Sequence, residues 1–231
     1  MFGRIGWLVL ILVALVLAVV ATVGGYNSFV PGTDIDTYKV QLGQLGQADT
    51  LATLYGAALL VGCAALSAWV IRRWRGCITF HWAGLVLVFL LLAVEKITNG
   101  NEVFFNAFRD WISQIDYFRD NWYWYTTAMF AGLFGLVFLI IYIPFLIHLN
   151  WRARLLFALG GILFVAGSFG IDLASTYFIQ DHRYMEVTQQ TALIMAGLGG
   201  VELFVETLSS IVFLSAIYRF GVDKGFWGEG A

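Results

Sequence analysis

Apolar residues fall into six long runs separated by polar segments. The runs cover roughly 5–25, 51–72, 80–98, 126–149, 153–176 and 190–218. At 1.5 Å per residue each is long enough to cross about 30 Å of hydrocarbon. At that depth every backbone N–H and C=O must pair within its own segment, so each run predicts a helix. The expected fold is all-α: a polytopic membrane protein with a six-transmembrane-helix bundle, residues 1–231 forming one transmembrane domain. The first run follows Arg4 and ends in small residues near Ala18 and Ala21, as a signal peptide would. Its apolar stretch exceeds the roughly 7–15 residues of a signal core, which makes it a retained span.

Residues 102–118 follow a different period. Phe104, Phe105, Phe108, Trp111, Ile112, Ile115 and Phe118 share one helical stripe, with Asn106, Arg109, Asp110, Ser113 and Gln114 opposite. This pattern predicts an amphipathic helix lying in the membrane interface. Trp122-Tyr123-Trp124-Tyr125 follow at the mouth of the fourth run, as an aromatic belt. Anchoring at headgroup level is the simplest role for this shelf. A sharper one is docking of a lipid, a quinone, a pigment or a partner helix, with Phe104, Phe105, Phe108, Trp111, Trp122 and Trp124 as its surface.

Composition agrees with the pattern. Hydrophobic residues make up 60 % of the 231 and charged residues 12 %, about half the roughly 25 % of a soluble domain. A soluble enzyme, a disordered chain and a nucleic-acid binder are excluded, the last because it needs a basic face. The net charge of −2 steers no partner strongly. The cations are nonetheless unevenly placed. Arg4, Arg72, Arg73, Arg75, Arg152, Arg154, Arg219 and Lys224 sit at one set of run ends. Lys39, Lys96, Arg109, Arg119 and Arg183 lie on the other side, where acids dominate. Positive ends stay inside, so both termini are expected to be cytoplasmic; a bacterial cytoplasmic (inner) membrane is the expected location, in line with the resemblance given below.

Small residues recur every four positions. Ala14, Ala18 and Thr22 do so in the first run, Ala58 and Gly62 beside Ala64 and Ala68 in the second. Ala166, Gly170 and Ala174 follow in the fifth, and Ala192, Ala196 and Gly200 in the sixth. Such stripes let helices approach closely and predict a compact bundle. Pro144 interrupts the fourth run and removes one backbone bond, which predicts a kink.

Candidate chemistry rests on carboxylates at membrane depth: Glu95, Asp172, Glu202 and Glu206. Acids there are expensive and face a partner or a cavity. The spacing of four puts Glu202 and Glu206 on one face, with Ser209 and Ser210 near it. Glu95 and Asp172 lie nearer the outer mouth, and Lys96 is the cation of that layer. This column suits a proton relay or a cation site. It suits equally a neutral acid hydrogen-bonded to a neighbouring helix in a structural role. His81 and His148 lie at the cytoplasmic interface beside Trp82 and Trp151. They read first as snorkelling residues and second as ligands of a haem or chlorophyll-type pigment. Asp181, His182 and Glu186 offer a weak divalent-metal set in the last outer loop. Cys63 and Cys77 build neither a disulfide nor a metal motif. No phosphate-binding loop, dinucleotide fingerprint, His-Glu-x-x-His or Gly-x-Ser-x-Gly occurs, and no inverted repeat is visible.

The third run ends Glu95-Lys96-Ile97-Thr98-Asn99-Gly100-Asn101-Glu102. This resembles a group of uncharacterised bacterial multi-span membrane proteins in which a helix ends Glu-Glu-Ile-Ser-Trp-Gly-Gln-Arg and a late helix carries two further acids. Glu95, Ile97 and Gly100 match, Thr98 and Asn101 are similar, and Lys96, Asn99 and Glu102 depart. The resemblance covers about eight positions and implies a related bundle with an acidic cluster linking the third and sixth helices, through Glu202 and Glu206. It lends no reaction. Lys96, where the group has an acid, is expected to neutralise Glu95.

The expected function is a non-catalytic subunit or partner-binding protein of a larger membrane complex, in contact with membrane lipids and a protein partner and with no nucleic acid. A small proton- or cation-handling protein built on Glu202 and Glu206 is the alternative. A membrane enzyme acting on a lipid or quinone comes third.

Overall fold

The computed structural model describes residues 4–29, 51–74, 76, 78–98, 122–171, 174 and 188–226. Every regular element among them is helical: α1 (Arg4–Asn27), α2 (Leu51–Arg73), α3 (Thr79–Thr98), α4 (Trp122–His148), α5 (Trp151–Val165) with a π-helical continuation (Ala166–Ile171), and α6 (Gln189–Asp223). Among the described residues five stretches are long and apolar enough to cross a membrane: Ile5–Asn27, Leu51–Arg73, Thr79–Thr98, Trp151–Ser168 and Gln189–Asp223. α4 is 27 residues long, and Gly135–His148 is the apolar stretch recorded for it among the described residues. The chain is thus an all-helical protein compatible with integral membrane insertion.

Helix ends follow local chemistry. Asn150 caps α5 by accepting from the Ala153 N–H at 2.8 Å. Thr188 caps α6 through Thr191, at 3.2 Å. These side chains satisfy amides that no helical carbonyl can reach. The last carbonyls of α4 are taken by Arg154, which donates to the oxygens of Leu146 and Ile147. Pro144 lies inside α4, and the Pro144 carbonyl is engaged by the His148 Nδ1. α6 starts one residue before its expected range and ends five after it. Over 35 residues it is about 52 Å long, well beyond the hydrocarbon thickness.

α6 is the axis of the bundle, packed against α1, α2, α5 and the π-helical segment. α3 lies against α2 and reaches α6 through three side-chain rungs. Trp82 meets Phe220 at 5.0 Å, Phe89 meets Phe213 at 5.4 Å, and Lys96 meets Glu206. Successive rungs are seven residues apart on both helices, which run antiparallel. α2 and α5 keep the same period, with Gly56, Cys63 and Val70 buried on one and Ala153, Gly160 and Gly167 on the other. A seven-residue repeat keeps one seam facing its partner, as in left-handed bundles.

This period corrects part of the expected small-residue pattern. In the fifth run Ala166, Gly170 and Ala174 are exposed, and so is Ala58 in α2. Positions four apart drift off a helix face after two turns, whereas positions seven apart return to it. The pattern holds between α1 and α6. Ala14, Ala18, Ala192, Ala196 and Gly200 are all buried, and a Cβ on Gly200 would run into Thr22 and the Ala18 carbonyl. There the two backbones approach as closely as small residues permit.

A cage of rings fills the end of the bundle that carries the Arg72–Arg73, Arg152 and Lys224 ends. Trp82 is fully buried within it, against Phe145 at 5.0 Å, Phe157 at 5.9 Å and Phe220. α4 contributes through Tyr142 and Phe145. Tyr142 sits over Gly84, where a Cβ would lie 2.6 Å from its hydroxyl. Between residues 135 and 141 α4 is poorly covered. Its residues 135–141 are exposed without a break, nearly two full turns with no buried face.

Candidate functional site

Glu206 is the central residue of α6, as far from Gln189 as from Asp223. Lys96 is two residues from the end of α3. Their meeting defines the level of the site: the middle of α6 coincides with the last turn of α3 and with the π-helical end of α5. The four-residue spacing does place Glu202 one turn from Glu206, and Glu202 is half-buried.

Both carboxylate oxygens of Glu206 are engaged. Lys96 Nζ donates to Oε2 in an ion pair whose side chains keep only 15 % and 14 % of their surface exposed. Ser168 Oγ donates to Oε1 at 2.6 Å. One carboxylate therefore ties three helices. The ion pair that Lys96 makes is with Glu206, while Glu95, the partner the local sequence suggests, remains within its field. Adjacent residues on a helix point about 100° apart, so Lys96 turns to α6 while Glu95 stays within electrostatic reach of Lys96 and Glu206. The acidic link between helices 3 and 6 is thus a lysine–carboxylate link.

Two glycines let the helices close over the pair. A Cβ on Gly56 would lie 3.4 Å from Lys96 Cδ and 4.0 Å from Thr207 Oγ1. A Cβ on Gly167 would lie 3.1 Å from Glu206 Cγ and 3.2 Å from the Glu206 amide nitrogen. Gly167 and Ser168 belong to the π-helical segment. A π turn inserts one residue into helical phase. Here it places a glycine against the α6 backbone and the next residue, a serine, on the acid. Ser168, Gly167 and Gly56 escape sequence reasoning. The Gly167-Ser168 dipeptide is the available signal, and its meaning depends on a π turn that no hydropathy pattern reveals.

Below the ion pair a polar ladder continues along α6. Ser210 Oγ donates to the Glu206 carbonyl at 3.2 Å, and the Cys63 thiol donates to the Ser210 carbonyl at 3.4 Å. Ser209 Oγ is buried with no hydrogen-bond partner.

The other expected site residues do not join this cluster. His148 is exposed and bonds back to Pro144. His81 stacks on Phe145 at 6.0 Å and packs edge-on against Tyr142, with its Nδ1 buried and unpartnered. An aromatic stack fits a packing histidine better than an axial ligand. Among the described residues no group of three or more His, Cys, Asp or Glu could hold a metal ion. Asp172, Cys77, Asp181, His182, Glu186, the 102–118 stripe with Phe104, Phe105, Phe108 and Trp111, and the side chains of Trp122 and Trp124 lie outside the described residues.

Comparison of the chain with protein-family models, with curated proteins and with solved structures finds no match.

Proposed function

We propose that this chain is a non-catalytic integral membrane protein that binds a partner within the bilayer, as a subunit of a larger membrane complex. The observation that carries this reading is the uncovered surface of α4. A helix exposed all round over residues 135–141 lacks the neighbours that normally shape a bundle helix. Lipid solvates such a surface adequately, and a partner helix packs on it better, because dispersion rewards close protein contact in a medium without a hydrophobic force. The closed state of Glu206 agrees. An acid whose two oxygens are both satisfied internally acts as a clamp and presents little to a substrate.

In this reading α4 is a sixth span, both termini are cytoplasmic, and the membrane is a bacterial inner membrane. The placement of Arg72, Arg73, Arg152, Arg154, Arg219 and Lys224 at one set of helix ends supports that orientation. The test is extraction from the native membrane in a gentle detergent, followed by native mass and an absorption spectrum. Co-migration with a second protein species is the expected result. A colourless monomer or homo-oligomer overturns the subunit reading.

A second reading rests on the proximity of Glu95, Lys96 and Glu206, with Glu202 one turn away. Carboxylates sharing one ammonium near the middle of a long helix form the kind of chain along which protons move in membrane proteins. Here Glu206→Gln abolishes proton flux in liposomes while leaving the fold intact. Flux equal to protein-free liposomes in the unaltered protein removes this reading.

A further inference from the structure

The ends of α2, α5 and α6 meet at one end of the bundle. Lys224 Nζ lies 5.1 Å above the Trp74 ring, joining the end of α6 to the end of α2. The Asn150 amide donates to Asp223, joining the α4–α5 turn to α6. Asp223 is the carboxylate of this end among the described residues, and it is already taken, by Asn150 and by Arg219 at 3.3 Å. Arg154 is also taken, with its guanidinium on the last carbonyls of α4. Among the side chains the structure describes, four cations remain: Arg72, Arg73, Arg152 and Lys224, all exposed and with no carboxylate partner among the described residues.

Three of these cations are held over indole rings. Arg73 sits 4.9 Å over Trp69, Arg152 sits 5.7 Å over Trp151, and Lys224 sits over Trp74. A cation over a ring is drawn to the ring face while its N–H donors remain available at the edge. The rings are partly outward-facing, Trp151 being 64 % exposed, and Ile147 in the last turn of α4 is 62 % exposed. The surface therefore joins positioned cations to uncovered apolar area where the helices end. That combination matches a molecule with a phosphodiester anion at one end and hydrocarbon at the other. A nucleic acid or an acidic peptide would leave the apolar part unused.

We infer that this end of the bundle binds the phosphate headgroups of anionic glycerophospholipids, through Arg72, Arg73, Arg152 and Lys224 and the indoles beneath them. Selectivity follows from charge. A zwitterionic headgroup carries its own ammonium, which the four cations repel, whereas a net-negative headgroup has no such term. The inference rests on the chain being membrane-embedded. Release of the chain from membranes by alkaline carbonate would overturn that premise and is a separate measurement.

The test uses the full-length protein in mild non-ionic detergent, equilibrated with equal amounts of phosphatidylglycerol and phosphatidylcholine of matched acyl chains. Retained lipid is counted by native mass spectrometry. At least tenfold enrichment of phosphatidylglycerol is expected, falling steeply with added salt. The triple variant Arg73→Gln/Arg152→Gln/Lys224→Gln removes the enrichment. A control with the same charge change elsewhere, Lys39→Gln/Arg109→Gln/Arg183→Gln, keeps it. Lys224→Gln alone, at a fully surface position, lowers retention about fivefold, the factor expected of one cation near an anionic surface. Equal retention of the two lipids by the unaltered protein overturns the inference. So does enrichment that survives the triple variant, or retention that Lys224→Gln leaves unchanged.

Discussion

Two rungs joining α3 to α6, fourteen residues apart on each helix, are built in opposite ways. At Trp82 and Phe220 the contact is ring on ring, backed by Phe145 and Phe157. At Lys96 and Glu206 it is ion on ion, backed by a serine hydroxyl and two glycines. The ring cage draws on dispersion, which is short-ranged but tolerant of the exact partner, since any well-shaped apolar group keeps part of it. The ionic rung tolerates no substitute. A carboxylate or an ammonium left without its counter-charge at that depth is costly, so it fits only one sliding position of α3 against α6. Rings give the bundle its cohesion, and the ion pair gives it register.

Removing the largest contact should have the largest effect. Trp82→Ala empties the cage and is expected to lower stability by about 3–5 kcal/mol, read as the midpoint of unfolding when the denaturing detergent SDS is titrated into mild micelles. Breaking the ionic rung from one side comes next. Lys96→Met leaves Glu206 uncompensated and should cost about 3 kcal/mol. The double change Lys96→Met/Glu206→Met should recover more than half of that, because two apolar side chains of similar length leave no orphan charge. A double variant less stable than Lys96→Met would show that the pair contributes cohesion, not register. The smallest effects test the glycines. Gly167→Ala pushes a methyl group onto the Glu206 backbone, which cannot tilt away, and is expected to cost about 2 kcal/mol. Gly160→Ala meets only the Phe213 ring, 3.0 Å from the new atom, and a ring can rotate. Its cost should be about half as large in the same titration. Equal costs would erase the distinction between a yielding and an unyielding neighbour.

Much of the fold was legible in the sequence, because length and hydropathy alone determine which segments must be helical at membrane depth. Among the described residues five of the six expected runs fulfil the length and composition of a span, and four of the six begin within one residue of the expected position. The small-residue faces of α1 and α6 were also legible, though the same spacing in the fifth run marks an exposed face, so the spacing alone did not say which helices meet. The seven-residue seam was not. It mixes Gly, Cys, Val, Trp, Phe, Lys and Glu, and no single residue class marks it. The site was half legible. Glu206 and Lys96 stand out as charges in apolar runs, but their pairing depends on how far α6 extends past α3. That offset is set by tertiary packing, and the one-residue phase shift of the π turn carries no composition of its own.

The Lys96–Glu206 pair also imposes an order of events during synthesis. The two residues are 110 positions apart, so at roughly 5–20 residues per second the lysine enters the membrane some 5–20 s before its acid exists. Lys96 lies two residues from the end of α3, close enough to an interface to lodge its ammonium among headgroups in the meantime. The clamp then closes as the last helix arrives, and the insertion of α6 becomes the step that commits the bundle to its final register.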